Sequence, residues 1–143
     1  MKVIYYMRRF RQIPVIEKML LAKGILSCLI LVPLVSLLPL KSYLKLMNRR
    51  PRRGMHSYGK KSTVRLALLT MRRIERFSPF RFSCLVKSIT FKQLLNSLGI
   101  ESNIALGVNN SHPGLLKAHA FVKVDNEIVY LKRKRFSEVY TIE

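Results

Sequence analysis

Apolar residues recur at helical spacing in residues 62–77, STVRLALLTMRRIERF. One stripe of this segment passes near Val64, Leu68, Met71 and Ile74 or Glu75. Intervals of three and four along one side, with arginines elsewhere, are typical of an amphipathic helix. Ser62 or Thr63 is expected to cap this helix, and Ser78-Pro79 is expected to end it.

A second helix is predicted in residues 80–99, FRFSCLVKSITFKQLLNSLG. Its apolar positions are Leu85, Ile89, Leu94, Leu95 and Leu98, and Lys87 and Lys92 are expected on the outer side. Ser83 suits the N-cap, and Gly99 suits the left-handed residue that follows a helix. Cys84 then falls in the first turn, where unpaired N–H groups and the helix dipole favour a thiolate. The alternative interpretation is that Cys84 is a small buried hydrophobe.

Beyond Gly99 the apolar period changes from 3.6 to 2. Residues 102–108 and 118–124 read as strands, separated by the loop NNSHPGLLK. Asp125-Asn126 is a turn signal before EIVYLK, residues 127–132. The order of elements predicts an α+β domain in which the cysteine-bearing helix packs on a small antiparallel sheet.

The N-terminal part contains an uncharged run of 17 residues, Gly24–Leu40, interrupted by Pro33 and Pro39. A membrane-spanning helix needs about 20 apolar residues. Three interpretations stay open: a packed or interfacial helix pair, a membrane-inserted segment, and a signal peptide. Arg49–Lys61, basic and broken by Pro and Gly, is typical of a linker. The predicted organisation is an N-terminal helical segment with linker over residues 1–61 and a domain over 62–143.

Charge is strongly unbalanced, with a formal net charge of +20. Residues 1–61 hold 14 of the 27 basic side chains and one acid, Glu17. This excess predicts attraction to anionic surfaces without choosing among them. No motif for specific nucleic-acid recognition accompanies it. Cys28 and Cys84 form no disulfide framework, which favours a reducing compartment, and no metal-ligand or nucleotide-binding motif is present.

A histidine, His119, lies at the start of a predicted strand, 35 residues after Cys84. An imidazole held against a thiol takes its proton and later protonates a leaving amine. The alternative is a half-buried histidine hydrogen-bonded to backbone. His56 and His112 fall in loop-like segments and are expected at the surface.

The residues SPFRFSCLVKSITFKQLLNSLGIESNIALGVN, followed by AHAFVKVDNEIV, resemble the core of the lasso-peptide maturation peptidases. The matching elements are Pro79, Ser83-Cys84-Leu85, Leu95 to Ile100, Ala105 to Val108, and His119-Ala120-Phe121-Val122. The resemblance covers residues 62–141, and Phe121 stands where the family has tryptophan. The ordered set is far more specific than the cysteine and histidine alone.

The resemblance implies a papain/transglutaminase-like fold with Cys84 as nucleophile and His119 as base. Such proteins are cytoplasmic thiol proteases that remove the leader from a ribosomally made precursor peptide during antibiotic biosynthesis. The implied partners are the precursor, a leader-binding recognition protein, and an ATP-dependent asparagine-synthetase-like cyclase that closes the macrolactam. Neither a metal nor an organic cofactor is implied for the proteolytic step.

One departure from the family concerns the residue that orients the imidazole. The family often places an aspartate about a dozen residues after the histidine, a role comparable to that in a triad. Here the twelfth residue is Leu131. Asp125 or Glu127 is the candidate third member, and a backbone carbonyl is another substitute. More remote candidates are Glu138, Asn103, Asn109 and Asn110.

Two other functional classes stay open. One is a catalytically weak scaffold that binds precursor and cyclase, as the missing aspartate suggests. The other is a basic membrane or nucleic-acid adaptor, as the charge suggests. Residues 24–40 provide a route to peripheral membrane contact in either case.

Overall fold

In a computed structural model, residues 13–37, 39, 42, 59–78, 81–109, 117–131 and 137–142 are described. Within these residues, three helices precede a sheet, so the predicted α+β class is confirmed. The helices are α1 (Val15–Leu37), α2 (Lys60–Phe77) and α3 (Cys84–Ser97). The strands are β1 (Asn103–Asn109), β2 (Lys117–Val124), β3 (Glu127–Tyr130) and β4 (Ser137–Ile142).

The strands form an antiparallel sheet with the order β3-β2-β1-β4. The predicted turn between β2 and β3 is confirmed, because Asp125 and Asn126 both adopt positive φ, 50° and 64°. Two such residues fit a type I′ hairpin. Strand β4, residues SEVYTI, was not predicted, although valine, tyrosine, threonine and isoleucine are all enriched in strands.

Helix α3 begins and ends as predicted, and α2 begins earlier than predicted. Ser83 caps α3 and Gly99 follows it at φ 76°. The prediction that Ser62 or Thr63 caps α2 is wrong: the N-cap is Gly59, and the Thr63 hydroxyl donates to the Gly59 carbonyl at 3.2 Å. The two lysines at positions 60 and 61 are good helix formers, which lets the helix begin before the hydroxyl residues.

The expectation that Lys92 lies on the outer side of α3 is also wrong, because only 5% of this residue is exposed. The apolar core around α3 is wide and takes residues from nearly all sides of the helix. Its buried positions are Val86, Ser88, Ile89, Thr90, Phe91, Lys92, Leu94 and Leu95. Packing of α3 between the other helices and the sheet therefore overrides the polarity of a single side chain.

Helix α1 is continuous through Pro33, so the expectation that this proline interrupts the apolar run is wrong. Proline removes one backbone hydrogen bond, and an exposed position lets the helix carry that loss. One side of α1 packs on α2 and α3. This side consists of Glu17, Leu20, Leu21, Gly24, Cys28 and Leu31.

Parts of the sequence prediction fall outside the described residues. These are most of the linker Arg49–Lys61, the loop over 110–116, and the histidines His56 and His112. The last two residues of the predicted linker, 60 and 61, belong to α2. The boundary between residues 1–61 and 62–143 stays a prediction.

Candidate functional site: a capped cysteine and an anchored histidine

Cys84 is the first residue of α3 and is a free, half-buried cysteine. The Ser83 hydroxyl accepts the backbone N–H of Val86 at 3.3 Å, and the Ser83 carbonyl accepts that of Lys87 at 3.1 Å. These two bonds fix where the helix begins. The backbone N–H of Cys84 belongs to the four that no carbonyl of the same helix accepts. The thiol thus lies at the positive end of the helix dipole, as the sequence predicts.

His119 lies on β2, opposite Gly107 of β1, and only 5% of it is exposed. Its Nε2 is 2.9 Å from the carbonyl oxygen of Leu131. A carbonyl only accepts hydrogen bonds, so Nε2 carries the proton. In the neutral ring Nδ1 is then the unprotonated nitrogen, which is the ring atom able to accept a proton.

Leu131 holds this position through an uncommon backbone conformation. It follows the last residue of β3, Tyr130, which pairs with Val122 of β2. Its φ is 60°, in the left-handed region that bulky residues seldom adopt. The pairing of β3 with β2 ends just before Leu131, and the Leu131 carbonyl is hydrogen-bonded to the imidazole of His119 on β2.

Tyr130 is anchored on both sides immediately before Leu131. Its hydroxyl donates to the Glu75 carboxylate, and its ring lies 4.5 Å from that of Phe91, centroid to centroid. Burial raises the pKa of the Tyr130 phenol, and the bond to Glu75 and its charge act in the same direction. Glu75 also forms an ion pair with Lys87 of α3, at 3.3 Å. One carboxylate therefore ties the end of β3 to the helix that begins at Cys84.

The two carboxylates proposed as a third catalytic member lie far from His119 along the hairpin. Asp125 is in the turn, with its side chain 69% exposed and paired with Lys60. It follows His119 by six residues of extended chain, roughly 20 Å. Glu127 is exposed and pairs in register with Val124, five residues beyond His119. This placement favours the third option, a backbone carbonyl, over either carboxylate.

Two further candidates are placed by strand register. Glu138 lies on β4 opposite Gly107, which itself faces His119 on the other side of β1. Asn103 lies at the far end of β1, opposite Lys123. Phe121, at the position of the family's tryptophan, is 4% exposed and follows His119 by two residues on β2, which places both on one face of the strand.

The two central candidates come from elements in contact, since α3 packs against β2. That Cys84 and His119 act together stays a prediction. Sequence reasoning missed Tyr130, Glu75 and the Leu131 carbonyl. A main-chain acceptor has no signature in the side-chain sequence, and only the twelve-residue offset from His119 pointed to this position.

No group of three or more histidine, cysteine or acidic residues able to hold a metal occurs among the described residues. A sequence model of the transglutaminase-like superfamily matches residues 28–141. The match begins within α1, and it includes α2, α3 and all of the sheet except Ile142. No curated protein and no solved structure matches the chain.

Proposed function

Because the chain belongs to the transglutaminase-like superfamily, which includes cysteine peptidases, we propose that it is a thiol peptidase that removes the leader from a lasso-peptide precursor. The observation that carries the proposal is the Nε2–Leu131 hydrogen bond of 2.9 Å. It supports the proposal because it assigns the ring proton of His119 to Nε2, which makes Nδ1 the nitrogen for the proposed role of base. The lasso-peptide substrate rests on the resemblance of residues 62–141 to those peptidases.

Acylation begins when Nδ1 of His119 takes the proton of the Cys84 thiol. The thiolate attacks the scissile carbonyl carbon, forming a C–S bond, and the backbone N–H of Cys84 donates to the developing oxyanion. The C–N bond then breaks. The imidazolium gives its proton to the departing amine, which becomes the amino terminus of the core peptide.

Deacylation reverses the roles with water in place of the amine. His119 takes a proton from water as the oxygen attacks the thioester and forms a C–O bond. The C–S bond then breaks, and the imidazolium returns the proton to the departing sulfur of Cys84. The products are a leader with a free carboxylate and a regenerated Cys84. The released core amine is the nucleophile that an ATP-dependent cyclase needs for macrolactam closure.

The test follows cleavage of a full-length precursor by the chain with its leader-binding protein, using mass spectrometry. Wild-type protein is expected to give two fragments whose masses add up to the precursor plus one water. Cys84→Ala and His119→Ala are each expected to stop cleavage, and Cys28→Ala serves as the control cysteine. Cys28 is fully buried, and burial raises the pKa of its thiol, although the hydrogen bond between Cys28 and Thr90 opposes this shift in part.

Iodoacetamide labelling tests the dyad without a substrate. An ordinary thiol ionises near pH 8.5, and a thiol paired with a histidine reacts faster than an ordinary thiol at about pH 6. Labelling of Cys84 is expected to slow in His119→Ala, and Cys28 is expected to label slowly throughout. If Cys84→Ala leaves precursor maturation intact in the complete pathway, the chain acts as a scaffold for precursor and cyclase.

A further inference from the structure

Helix α1 is apolar on the side that faces away from the protein. Large hydrophobic side chains line this side, among them Leu26, Leu29 and Ile30 at 59%, 54% and 53% exposure. Val15, Met19, Ile25, Val32 and Leu37 are exposed as well. We call these eight residues the outer face of α1. A helix that is apolar all round needs a second apolar environment besides the core on which it packs.

The outer face is large compared with the remaining described surface. Outside α1, Leu69 of α2 is the one large hydrophobic residue among the described residues that is exposed, at 40%. Scattered single residues of this kind are normal, whereas a contiguous set marks an interaction site. The outer face is therefore the strongest candidate for an interaction surface in the part of the chain that the structure describes.

Polar contacts hold the inner side of α1 on the domain along most of its length. Glu17 forms an ion pair with Arg73 of α2, and Lys23 donates to the Ser97 hydroxyl at 2.5 Å. Further along, the Cys28 thiol and the Thr90 hydroxyl are 3.3 Å apart. By length and composition α1 is able to cross a membrane. Crossing would require breaking these contacts and placing Glu17 and Lys23 in lipid, at several kcal/mol for each charge.

Charge identifies the kind of surface that fits the outer face. Residues 1–61 carry 14 basic side chains, and their one acid, Glu17, is already paired with Arg73. Arg11 precedes Val15 by four residues and Lys41 follows Leu37 by four, at most about 14 Å of chain at each end. Each Lys or Arg near an anionic bilayer contributes about 1 kcal/mol of attraction.

A second copy of the chain is a less suitable partner for the outer face of α1 than an anionic lipid surface. Pairing two outer faces would bring together two segments that are both strongly basic, and like charges oppose such an interface. An anionic lipid surface accepts the apolar side chains and the flanking cations together.

We infer that the outer face of α1 lies in the headgroup region of an anionic lipid bilayer and holds the protein on the membrane without crossing it. The inference concerns a surface separate from Cys84 and His119 and stands whether or not the chain is a peptidase. Among the interpretations of residues 24–40, the inference favours an interfacial helix over a segment inserted across the membrane.

The test uses the absence of tryptophan from the chain. Leu29→Trp places a single indole in the outer face of the full chain. With vesicles of phosphatidylcholine and phosphatidylglycerol, its emission is expected to shift to the blue. Phosphatidylcholine alone is expected to give a much smaller shift, and added salt is expected to weaken binding to the anionic vesicles. Unchanged emission with anionic vesicles would overturn the inference.

Two variants separate the apolar face from charge alone. Leu26→Glu with Ile30→Glu is expected to lower sedimentation with anionic vesicles by about tenfold or more, because apolar contact is replaced by repulsion. Leu69→Glu on α2 is the matched control and is expected to bind like wild type. Equal binding by all three proteins would assign attraction to the basic segments and refute a role for the outer face.

Two further outcomes identify other occupants. A blue shift that grows with protein concentration without lipid, with a doubled mass in light scattering, would show that a second copy covers the face. An alkaline carbonate wash is expected to release the bound protein. Retention after the wash would indicate a spanning helix and overturn the surface position.

Discussion

The imidazole of His119 is held by a backbone oxygen, the carbonyl of Leu131, 2.9 Å from Nε2. A carbonyl fixes the ring and its tautomer as a carboxylate does in a triad. It supplies a dipole in place of a full negative charge, so an imidazolium formed during the proposed acylation would be stabilised less. Orientation is thereby retained, and we expect a slower reaction than in relatives with an aspartate.

The first prediction concerns the acidic residues of the hairpin. Asp125→Asn and Glu127→Gln are expected to leave the rate of Cys84 alkylation at pH 6 to 7 unchanged within about twofold, because both side chains lie far along the hairpin from the ring. Residue-resolved mass spectrometry measures the rate. His119→Ala in the same series should slow the labelling strongly. A tenfold loss in either acid variant would instead identify that carboxylate as the orienting group.

Sequence reasoning predicted side-chain features of the site and missed its main-chain part. Ser83, Cys84 and Gly99 were placed correctly because capping and left-handed backbone select particular residue types. The left-handed conformation of Leu131 was not predictable, since leucine is a poor residue for it. Tertiary packing of Tyr130 against Glu75 and Phe91 determines the path of the chain at that point.

The second prediction concerns Tyr130. Tyr130→Phe removes the donor to Glu75 while keeping the ring beside Phe91, and is expected to lower the free energy of unfolding by about 1–2 kcal/mol. Urea denaturation measures this loss. If the anchor also positions the Leu131 carbonyl, the His119-dependent alkylation of Cys84 slows as well. Unchanged stability and unchanged labelling together would show that the Tyr130 hydroxyl neither stabilises the fold nor positions the Leu131 carbonyl.

Ionisation of Tyr130 is also expected to lower the stability of the folded protein at alkaline pH. Its folded pKa is raised by burial above the unfolded value, so above about pH 10 the unfolded state loses the proton first. The free energy of unfolding of wild-type protein should therefore fall as pH rises beyond that point. Tyr130→Phe is expected to show a shallower fall between pH 9 and 11, approximate limits set by the same ionisation. If the free energy of unfolding falls equally steeply with pH in both proteins, groups other than Tyr130 cause the loss of stability at alkaline pH.

The third prediction tests the packing of α1 against α2. Gly24 lies against Ile74 of α2, and a Cβ at this position would overlap the end of the Ile74 side chain. Gly24→Leu is expected to lower the free energy of unfolding by about 1–3 kcal/mol, the usual cost of overpacking. Ala22→Leu, at an exposed position of the same helix, is the matched control and should have little effect. Equal stability of both variants would mean that α1 does not pack against α2 in solution.

The final prediction concerns Lys92, which the helical pattern assigned to the solvent side. Burial lowers the pKa of its ammonium, and the charge of Glu101 opposes this shift in part. Below its lowered folded pKa, Lys92 is a poorly solvated cation. Lys92→Met is therefore expected to raise the free energy of unfolding by about 1 kcal/mol, as when buried charges are replaced by apolar residues.

The pH dependence of this gain has a definite sign. Between the lowered folded pKa of Lys92 and the unfolded value of about 10.4, the unfolded state binds more protons, so wild-type stability rises with pH. Lys92→Met lacks this contribution, and its advantage over wild type should shrink from pH 7 to pH 10. Urea denaturation of both proteins at the two pH values measures the difference, with the exposed Lys61→Met as control. A destabilised Lys92→Met would show instead that the ammonium makes a contact stronger than its desolvation cost.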